Sequence, residues 1–277
     1  MPRAHHAIES MQQTLRVSSK SICDMAAWQQ VMYGLGSAVS FDFSRAKPTL
    51  EHARFGTELV GMNLFRLPFP SVFFDLGKMN EQSGEWSHFV WTLLACADGD
   101  ACAMTTFIGA NGRLLPFMLT EGSIGDEQRV PRLRVLLKGN DLRIDDRGLD
   151  PDFLRTVSQR SFSHLCGAVA LLMSRDVETT VEPPPLKLNL ARARKGRPAV
   201  GEARLVKIKP DAIRRVSHGD EGHASPVMHW RRGHFRTIYK GTEKQRVVPV
   251  APCLVGATDE ARSSMPKPQD YVVGVGT

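Results

Sequence analysis

The sequence predicts an α+β protein, in which helices pack on an antiparallel sheet and a basic β-hairpin lies near the C-terminus. Three observations lead to this fold class. Apolar residues recur at helical spacing in residues 22–35 and 150–174. Between those two segments lie short apolar runs separated by turn residues, which are typical of an antiparallel meander. Two further short runs flank residues 240–242 and predict the hairpin.

Each predicted helix has recognisable ends. The first follows an apolar stripe from Ile22 to Leu35, and Gly36 ends it. Asp150 opens the longest predicted helix, because aspartate is a favourable N-cap and the proline that follows fits the first turn. A shorter helix is predicted at residues 49–58.

The meander begins after two prolines, which cannot occupy the interior of a helix. An Asn-Gly pair at residues 111–112 predicts a tight turn within it, because both residues readily adopt positive φ. The predicted strands are residues 71–76, 87–96, 101–108, 113–119 and 133–137.

We expect three parts along the chain. Residues 1–178 form a domain of helices and the meander, and residues 179–203 form a basic linker or loop that contains proline and glycine. Residues 204–277 form a basic β-hairpin region, which can also belong to the same sheet. Pro249 predicts that one hairpin strand lies at a sheet edge, since proline cannot donate to a ladder.

Composition indicates the cellular setting. The five cysteines are odd in number, scattered and without a CxxC pair, so we expect reduced thiols. The N-terminus lacks the apolar segment of a signal peptide, and the longest apolar run is too short to span a bilayer. We therefore expect a cytoplasmic protein with no membrane partner, and the sequence does not indicate its oligomeric state.

Positive charge is concentrated in the C-terminal part of the chain. Residues 1–150 contain 15 Lys/Arg and 17 Asp/Glu, whereas residues 187–246 contain 16 Lys/Arg and 5 Asp/Glu. Such asymmetry favours nucleic acid or another polyanion as partner. The alternative is a solvated basic face without a partner.

Residues 229–240 are the candidate functional segment, because two histidines, four cationic side chains and a tyrosine surround one glycine. In an extended chain, alternate residues would place these polar groups on two faces. Arginine offers forked donors to phosphate oxygens, and aromatic rings can stack on bases. The candidate nucleic-acid-binding residues are Arg192, Arg194, Lys195, Arg231, Arg232, Arg236, Lys240, Lys244 and Arg246.

Metal-independent RNA cleavage is the main enzymatic alternative. It needs one histidine as base, another as acid, and a cation to stabilise the charged phosphorane. His229, His234, Arg236 and Tyr239 supply those residue types. Small ribonuclease toxins with a C-terminal antiparallel sheet provide an architectural analogy without a shared motif.

A third alternative is structural: the cluster would form an internal ion-pair network with acidic residues of segment 141–152. We expect no metal, since the C-terminal histidines are spaced wider than the tight pairs of zinc sites. We expect no cofactor either, because the sequence contains no complete phosphate-binding or dinucleotide-binding motif.

Two segments resemble a group of uncharacterised bacteriophage and prophage proteins. One is Leu67-Pro68-Phe69-Pro70, and the other combines residues 229–236, of the form HxRRGHxR, with residues 250–256, of the form VxPxxVG. The resemblance covers both ends of the chain and not its middle. It implies a phage or mobile-element setting and no particular reaction.

Overall fold

The structure is a computed structural model, and it describes residues 4–17, 22–78, 90–98, 101–110, 113–123, 132–136, 151–209 and 229–255. Within these ranges five helices are present. They are α1 (Ala4–Val17), α2 (Met25–Ser37), α3 (Leu50–Gly61), α4 (Pro151–Leu172) and α5 (Leu186–Arg194).

An eight-stranded sheet forms the centre of the described chain, with strand order β6-β5-β4-β3-β2-β1-β8-β7. Its strands are β1 (Val39–Arg45), β2 (Ser71–Lys78), β3 (Val90–Asp98), β4 (Ala101–Ala110), β5 (Arg113–Ser123), β6 (Arg132–Val135), β7 (Val177–Glu182) and β8 (Ala203–Ile208). The α+β class is confirmed, and most strand pairs are antiparallel. The pairs that β1 makes with β2 and with β8 are parallel, which the predicted meander did not include.

Helices cover both faces of this sheet. On one face, Gly34 of α2 lies against Leu94 of β3. On the opposite face, Ser161 of α4 is 2.8 Å from the hydroxyl of Thr106, whose neighbour Thr105 pairs with Leu94. Successive strand residues point to opposite faces, so α2 and α4 enclose the sheet between them. The adjacent Phe73 and Phe74 are consequently both buried.

Helix α3 is fixed by a close crossing with α4. A Cβ atom added to Gly56 would lie 2.2 Å from the carbonyl oxygen of Cys166, so only glycine fits at this position. Gly167 makes the reciprocal approach, with Pro48 and Ala53 as its nearest neighbours. The crossing holds α3 against the core and leaves its other side available to the C-terminal segment.

Most elements of the meander and the three predicted helices are confirmed, with ends that differ by a few residues. Helix α1, strand β1 and helix α5 were not predicted. Residues 179–203, expected as a linker or loop, include most of β7 and all of α5. The five cysteines are not paired with one another in the structure.

Candidate nucleic-acid interface

Residues 229–255, here called the C-terminal hairpin, form one long antiparallel hairpin in two short ladders. Strand β9 (His229–Arg231) pairs with β12 (Cys253–Val255), and β10 (His234–Ile238) pairs with β11 (Arg246–Val250). The register is the same on both sides of the gap, since Arg231 faces Cys253 and His234 faces Val250. Pro252 lies in the gap between the two ladders. Proline has no backbone N–H, so neither ladder loses a hydrogen bond at this position.

The C-terminal hairpin packs on α3 through three contacts with aromatic rings. The ring of Trp230 meets His52 edge-on, with a centroid distance of 4.5 Å. Gly233 lies directly on the ring of Phe55, and Phe235 stacks on the same ring at 5.6 Å. Trp230 and Gly233 are buried and Phe235 is half-buried. These apolar contacts anchor the hairpin without using its cationic side chains.

The inward-facing residues change parity at the gap between the ladders. Trp230 faces α3 from β9, and Phe235 faces α3 from β10. An uninterrupted strand would place residues 230 and 235 on opposite faces. The structure therefore differs from the continuous alternation considered in the sequence, and the break at Arg232 and Gly233 is the reason.

A second anchor joins the C-terminal hairpin to the turn that follows α4. The backbone N–H of Leu254 donates to the carboxylate of Asp176 at 2.7 Å. Asp176 is fully buried, and its backbone carbonyl accepts from the N–H of Lys209. Hydrogen bonds to a buried carboxylate are among the stronger polar contacts in proteins. They fix the base of the hairpin.

His52 connects the start of α3 to the hairpin. Its Nδ1 accepts from the backbone N–H of Thr49 at 3.2 Å and lies 2.7 Å from the hydroxyl of that residue. Its Nε2 is buried without a hydrogen-bond partner. Burial lowers the pKa of His52 to about 3, so the ring is neutral at physiological pH and packs as an aromatic group.

The opposite side of the C-terminal hairpin is exposed and basic. We call this set the outer surface: His229, Arg231, Arg232, His234, Arg236, Tyr239, Lys240, Lys244 and Arg246. Residues 229–255 contain one acidic residue, Glu243, against six Lys/Arg. Of the aromatic residues predicted to stack on bases, Trp230 and Phe235 are used against α3. Tyr239 remains, with 60% of its side chain exposed.

Arg232 differs from the other cations of the outer surface, because it forms an ion pair with Glu58 of α3. This hydrogen bond and charge raise the pKa of the Arg232 guanidinium further. The two side chains are 59% and 32% exposed, so the pair lies at the surface. A shallow cleft of about 460 Å³ lies beside it, lined by Glu58 and residues 231–235.

The tip of the C-terminal hairpin has a defined turn. Tyr239 has a φ of 54°, which is uncommon for a residue other than glycine, and Gly241 has a φ of 77°. The backbone N–H and the hydroxyl of Thr242 both donate to the carbonyl of Tyr239. Tyr239 lies at this turn, between Arg236 and Lys240 in the sequence, and is 60% exposed.

The three other predicted cations lie on a separate element. Arg192 and Arg194 are in α5, and Lys195 caps it. Arg192 is largely buried, and its guanidinium donates to Glu9 and to the carbonyl of Pro198, both at 2.8 Å. Arg194 and Lys195 are exposed.

Of the acidic residues predicted as partners in an internal ion-pair network, Asp152 lies within the described ranges. Residues 137–150 lie outside the described ranges, and Asp152 forms an ion pair with Arg155 one helical turn away. The acidic partner found in the described chain is Glu58, which sequence reasoning missed. His52 and Phe55 were also missed, although their spacing with Glu58 of three residues marks one face of a helix.

Among the described residues no group of three or more His, Cys, Asp or Glu side chains is arranged to hold a metal ion. His218 and His223 lie outside those residues. None of the helices that the structure describes combines the length and the hydropathy needed to cross a bilayer.

Comparison with known proteins identifies a family. Residues 45–257, which include α3, strands β2 to β8 of the core sheet and the C-terminal hairpin, match the family described as AcrVA2-like: Anti-CRISPR type V subtype A2 family. No curated protein and no solved structure shows significant similarity to this chain. An anti-CRISPR family supports the phage setting that the two sequence segments implied. Because the match covers most of its length, the chain belongs to the AcrVA2-like anti-CRISPR family.

Proposed function

We propose that this protein is a phage anti-CRISPR protein that acts on a type V subtype A system by binding nucleic acid through the outer surface. Family membership supports the system on which it acts. The character of the outer surface supports the kind of ligand. CRISPR effectors contain a guide RNA and pair it with target DNA, so phosphate backbones are present in the complex to be inhibited.

One observation supports the proposal most directly: the apolar residues of the C-terminal hairpin contact the protein, and its cationic residues are exposed. Its apolar residues Trp230, Gly233 and Phe235 contact α3, and its base is held by Asp176. The cations are exposed, and among the described residues one of them, Arg232, forms an ion pair, with Glu58. A rigid scaffold with cations on its free side suits a polyanion, because little ordering is required on binding.

The expected binding mode is electrostatic, with limited base readout. Two hydrogen bonds to one phosphate can be donated by each guanidinium group of Arg231, Arg236 and Arg246. The lysines at the tip add positive charge. Tyr239 offers a face on which a base can stack. Such contacts position a strand and carry little sequence information.

A paired-variant binding assay tests this proposal. The Arg236→Ala/Arg246→Ala variant removes two cations from the outer surface, and Arg45→Ala/Arg155→Ala removes two exposed cations from other elements. Net charge changes equally in both. We expect fluorescence anisotropy with labelled RNA and DNA to show at least a tenfold weaker Kd for the hairpin variant and nearly unchanged binding for the control. Equal effects of the two variants would remove the outer surface as the site.

Ribonuclease activity is tested beside binding. His234 and Arg236 are both exposed and share one face of β10, whereas His229 belongs to the other ladder. Acid–base catalysis requires both histidines to reach one phosphate. Labelled RNA is incubated with the protein in EDTA, and cleavage lost in His234→Ala with binding retained would support the enzymatic alternative. Intact RNA after long incubation would leave binding as the function.

A further inference from the structure

Helix α5 presents its apolar residues to solvent. Leu186, Leu188 and Leu190 are 77%, 47% and 59% exposed, and none of the nine residues of α5 is buried. Surface helices normally direct such side chains toward the core. Exposed leucines clustered on one element mark an interaction site more often than isolated ones do.

The polar residues of α5 hold this orientation. Asn189 makes two hydrogen bonds with the backbone of Val200, one as donor at 2.9 Å and one as acceptor at 2.7 Å. One turn later, Arg192 binds the carbonyl of Pro198 and the carboxylate of Glu9. Asn189 and Arg192 thus face the protein. Leu186 and Leu190, four residues apart, share an exposed side of the helix, whereas Leu188 points to a different side. The helix is fixed by polar contacts rather than by burial of an apolar stripe.

The surroundings of α5 are basic. Residues 183–201 contain five Lys/Arg and no Asp/Glu. A cleft of about 600 Å³ lies beside the C-terminal end of the helix. Arg16, Lys195 and Arg197 line it together with the apolar side chains of Val17 and Pro198, and its carboxylate, Glu9, is paired with Arg192. Apolar and cationic groups therefore lie next to each other over the same area.

We infer that α5 and this cleft form a second interaction surface, which binds a protein segment that combines leucine-like and acidic side chains. Leu186 and Leu190 would be covered by the apolar side chains of the partner. Lys187, Arg194 and Lys195 would meet its carboxylates, and this charge complementarity would set specificity and association rate. The surface is separate from the C-terminal hairpin and does not depend on nucleic-acid binding.

Two other occupants fit the surface less well. A second copy of this chain would bring five cations against five, which like-charge repulsion opposes. An anionic bilayer would match the charge, but the cleft is concave and is partly lined by Gln12 and Gln13. Membrane-surface helices are typically longer and more apolar on their buried face than the nine residues of α5.

The test uses a synthetic helical peptide with a leucine stripe and glutamates on its remaining faces. The fluorescently labelled peptide is mixed with increasing concentrations of the full-length protein, and binding is measured by fluorescence anisotropy. Two variants are compared with the wild type: Leu186→Ser/Leu190→Ser and, as a control, Tyr33→Ser, which removes an 83% exposed apolar side chain from α2. We expect saturable binding that the leucine variant weakens at least tenfold and the control does not. Circular dichroism verifies that both variants are folded.

Three outcomes would overturn the inference. The first is an unchanged Kd in the leucine variant. The second is equal binding of a matched peptide with lysines in place of the glutamates. The third is binding to vesicles of phosphatidylserine and phosphatidylcholine, or concentration-dependent dimerisation in sedimentation, that the leucine substitutions abolish while the acidic peptide does not bind.

Discussion

At the scale of single residues, burial shifts the pKa values of Asp75 and His52 in opposite directions. Asp75 in β2 is nearly fully buried beside Asp42, its register partner in β1, and accepts from the backbone N–H of Gly77 at 3.0 Å. Burial is the main cause that raises the pKa of Asp75 to about 6, and the nearby Asp42 contributes. Burial lowers the pKa of His52 to about 3.

The first prediction concerns Asp75→Asn. The folded protein retains a proton on Asp75 up to about pH 6, whereas the unfolded chain releases it near its ordinary value of 3.8. The contribution of Asp75 to stability is thus complete below that value and is lost as the pH rises through 6. A neutral amide avoids this loss, so the variant should gain roughly 1–3 kcal/mol at pH 8 and little at pH 4. Urea unfolding at both pH values measures the difference, and a loss of stability at pH 8 would contradict it.

The second prediction concerns the pH profile. His52 is neutral in the folded protein and protonates below 6.5 in the unfolded chain, so its contribution to stability is lost as the pH falls from 6.5 toward 3. Between pH 4 and 6 this loss opposes the gain from Asp75. His164 in α4 adds to the loss, because burial lowers its pKa to about 4. We expect wild-type stability to decline shallowly on acidification in this range and the stability of Asp75→Asn to decline more steeply. If the stability of both proteins changed with pH in the same way, the raised pKa of Asp75 would be excluded.

At the scale of secondary-structure elements, α3 is the support of the C-terminal hairpin. Its crossing with α4 depends on Gly56, and its contact with the hairpin depends on Gly233. Neither glycine has a positive φ, so both are required by space and not by backbone conformation. The hairpin is therefore coupled to the core through one helix.

The third prediction tests this coupling. A Cβ atom at residue 233 would lie 2.5 Å from the ring of Phe55, so Gly233→Ala must displace the ring or the hairpin. We expect a loss of about 1–3 kcal/mol in thermal or urea unfolding, as for an overpacked site. Gly36→Ala is the matched control, because nothing lies within 4 Å of its added Cβ and it is inside α2. That change should stabilise the protein by about 0.5–1 kcal/mol, and the reverse order of the two variants would contradict the packing account.

Local sequence signals predicted elements better than their partners. The N-cap at Asp150, the Asn-Gly pair and the alternation after residue 235 are local, and the helix and hairpins that they predict are present. Strand β1 was missed because it pairs in parallel with residues 33 or more positions away, as Val39 does with Val72, and no turn signal indicates such a pairing. Helix α5 was missed because its apolar residues are exposed, so its pattern is not that of a buried stripe.

The candidate site was predicted in composition and not in geometry. Sequence reasoning selected the cations of the outer surface, yet it could not show that Trp230 and Phe235 face inward on either side of a break. It also could not identify Glu58 as the partner of Arg232, since the two residues are 174 positions apart. Contacts at such separation depend on the tertiary fold, which local periodicity does not encode.

At the scale of the whole molecule, the protein has two basic surfaces of different chemistry. The outer surface combines cations with one exposed tyrosine and suits phosphate backbones. The surface at α5 combines cations with leucines and suits an acidic protein segment. An inhibitor with both could contact the nucleic acid and the protein of one complex, and variants in each surface should then affect binding independently.

The central claim is that the outer surface binds nucleic acid through phosphate contacts, and the salt dependence of binding to single-stranded RNA tests it most directly. Each phosphate contact should contribute about 0.7 to the slope of log K against log salt concentration. We expect a steep negative slope for the wild type, a slope lower in magnitude by about 1.4 for Arg236→Ala/Arg246→Ala, and an unchanged slope for Arg45→Ala/Arg155→Ala. A wild-type slope near zero, or the same slope in all three proteins, would contradict the claim.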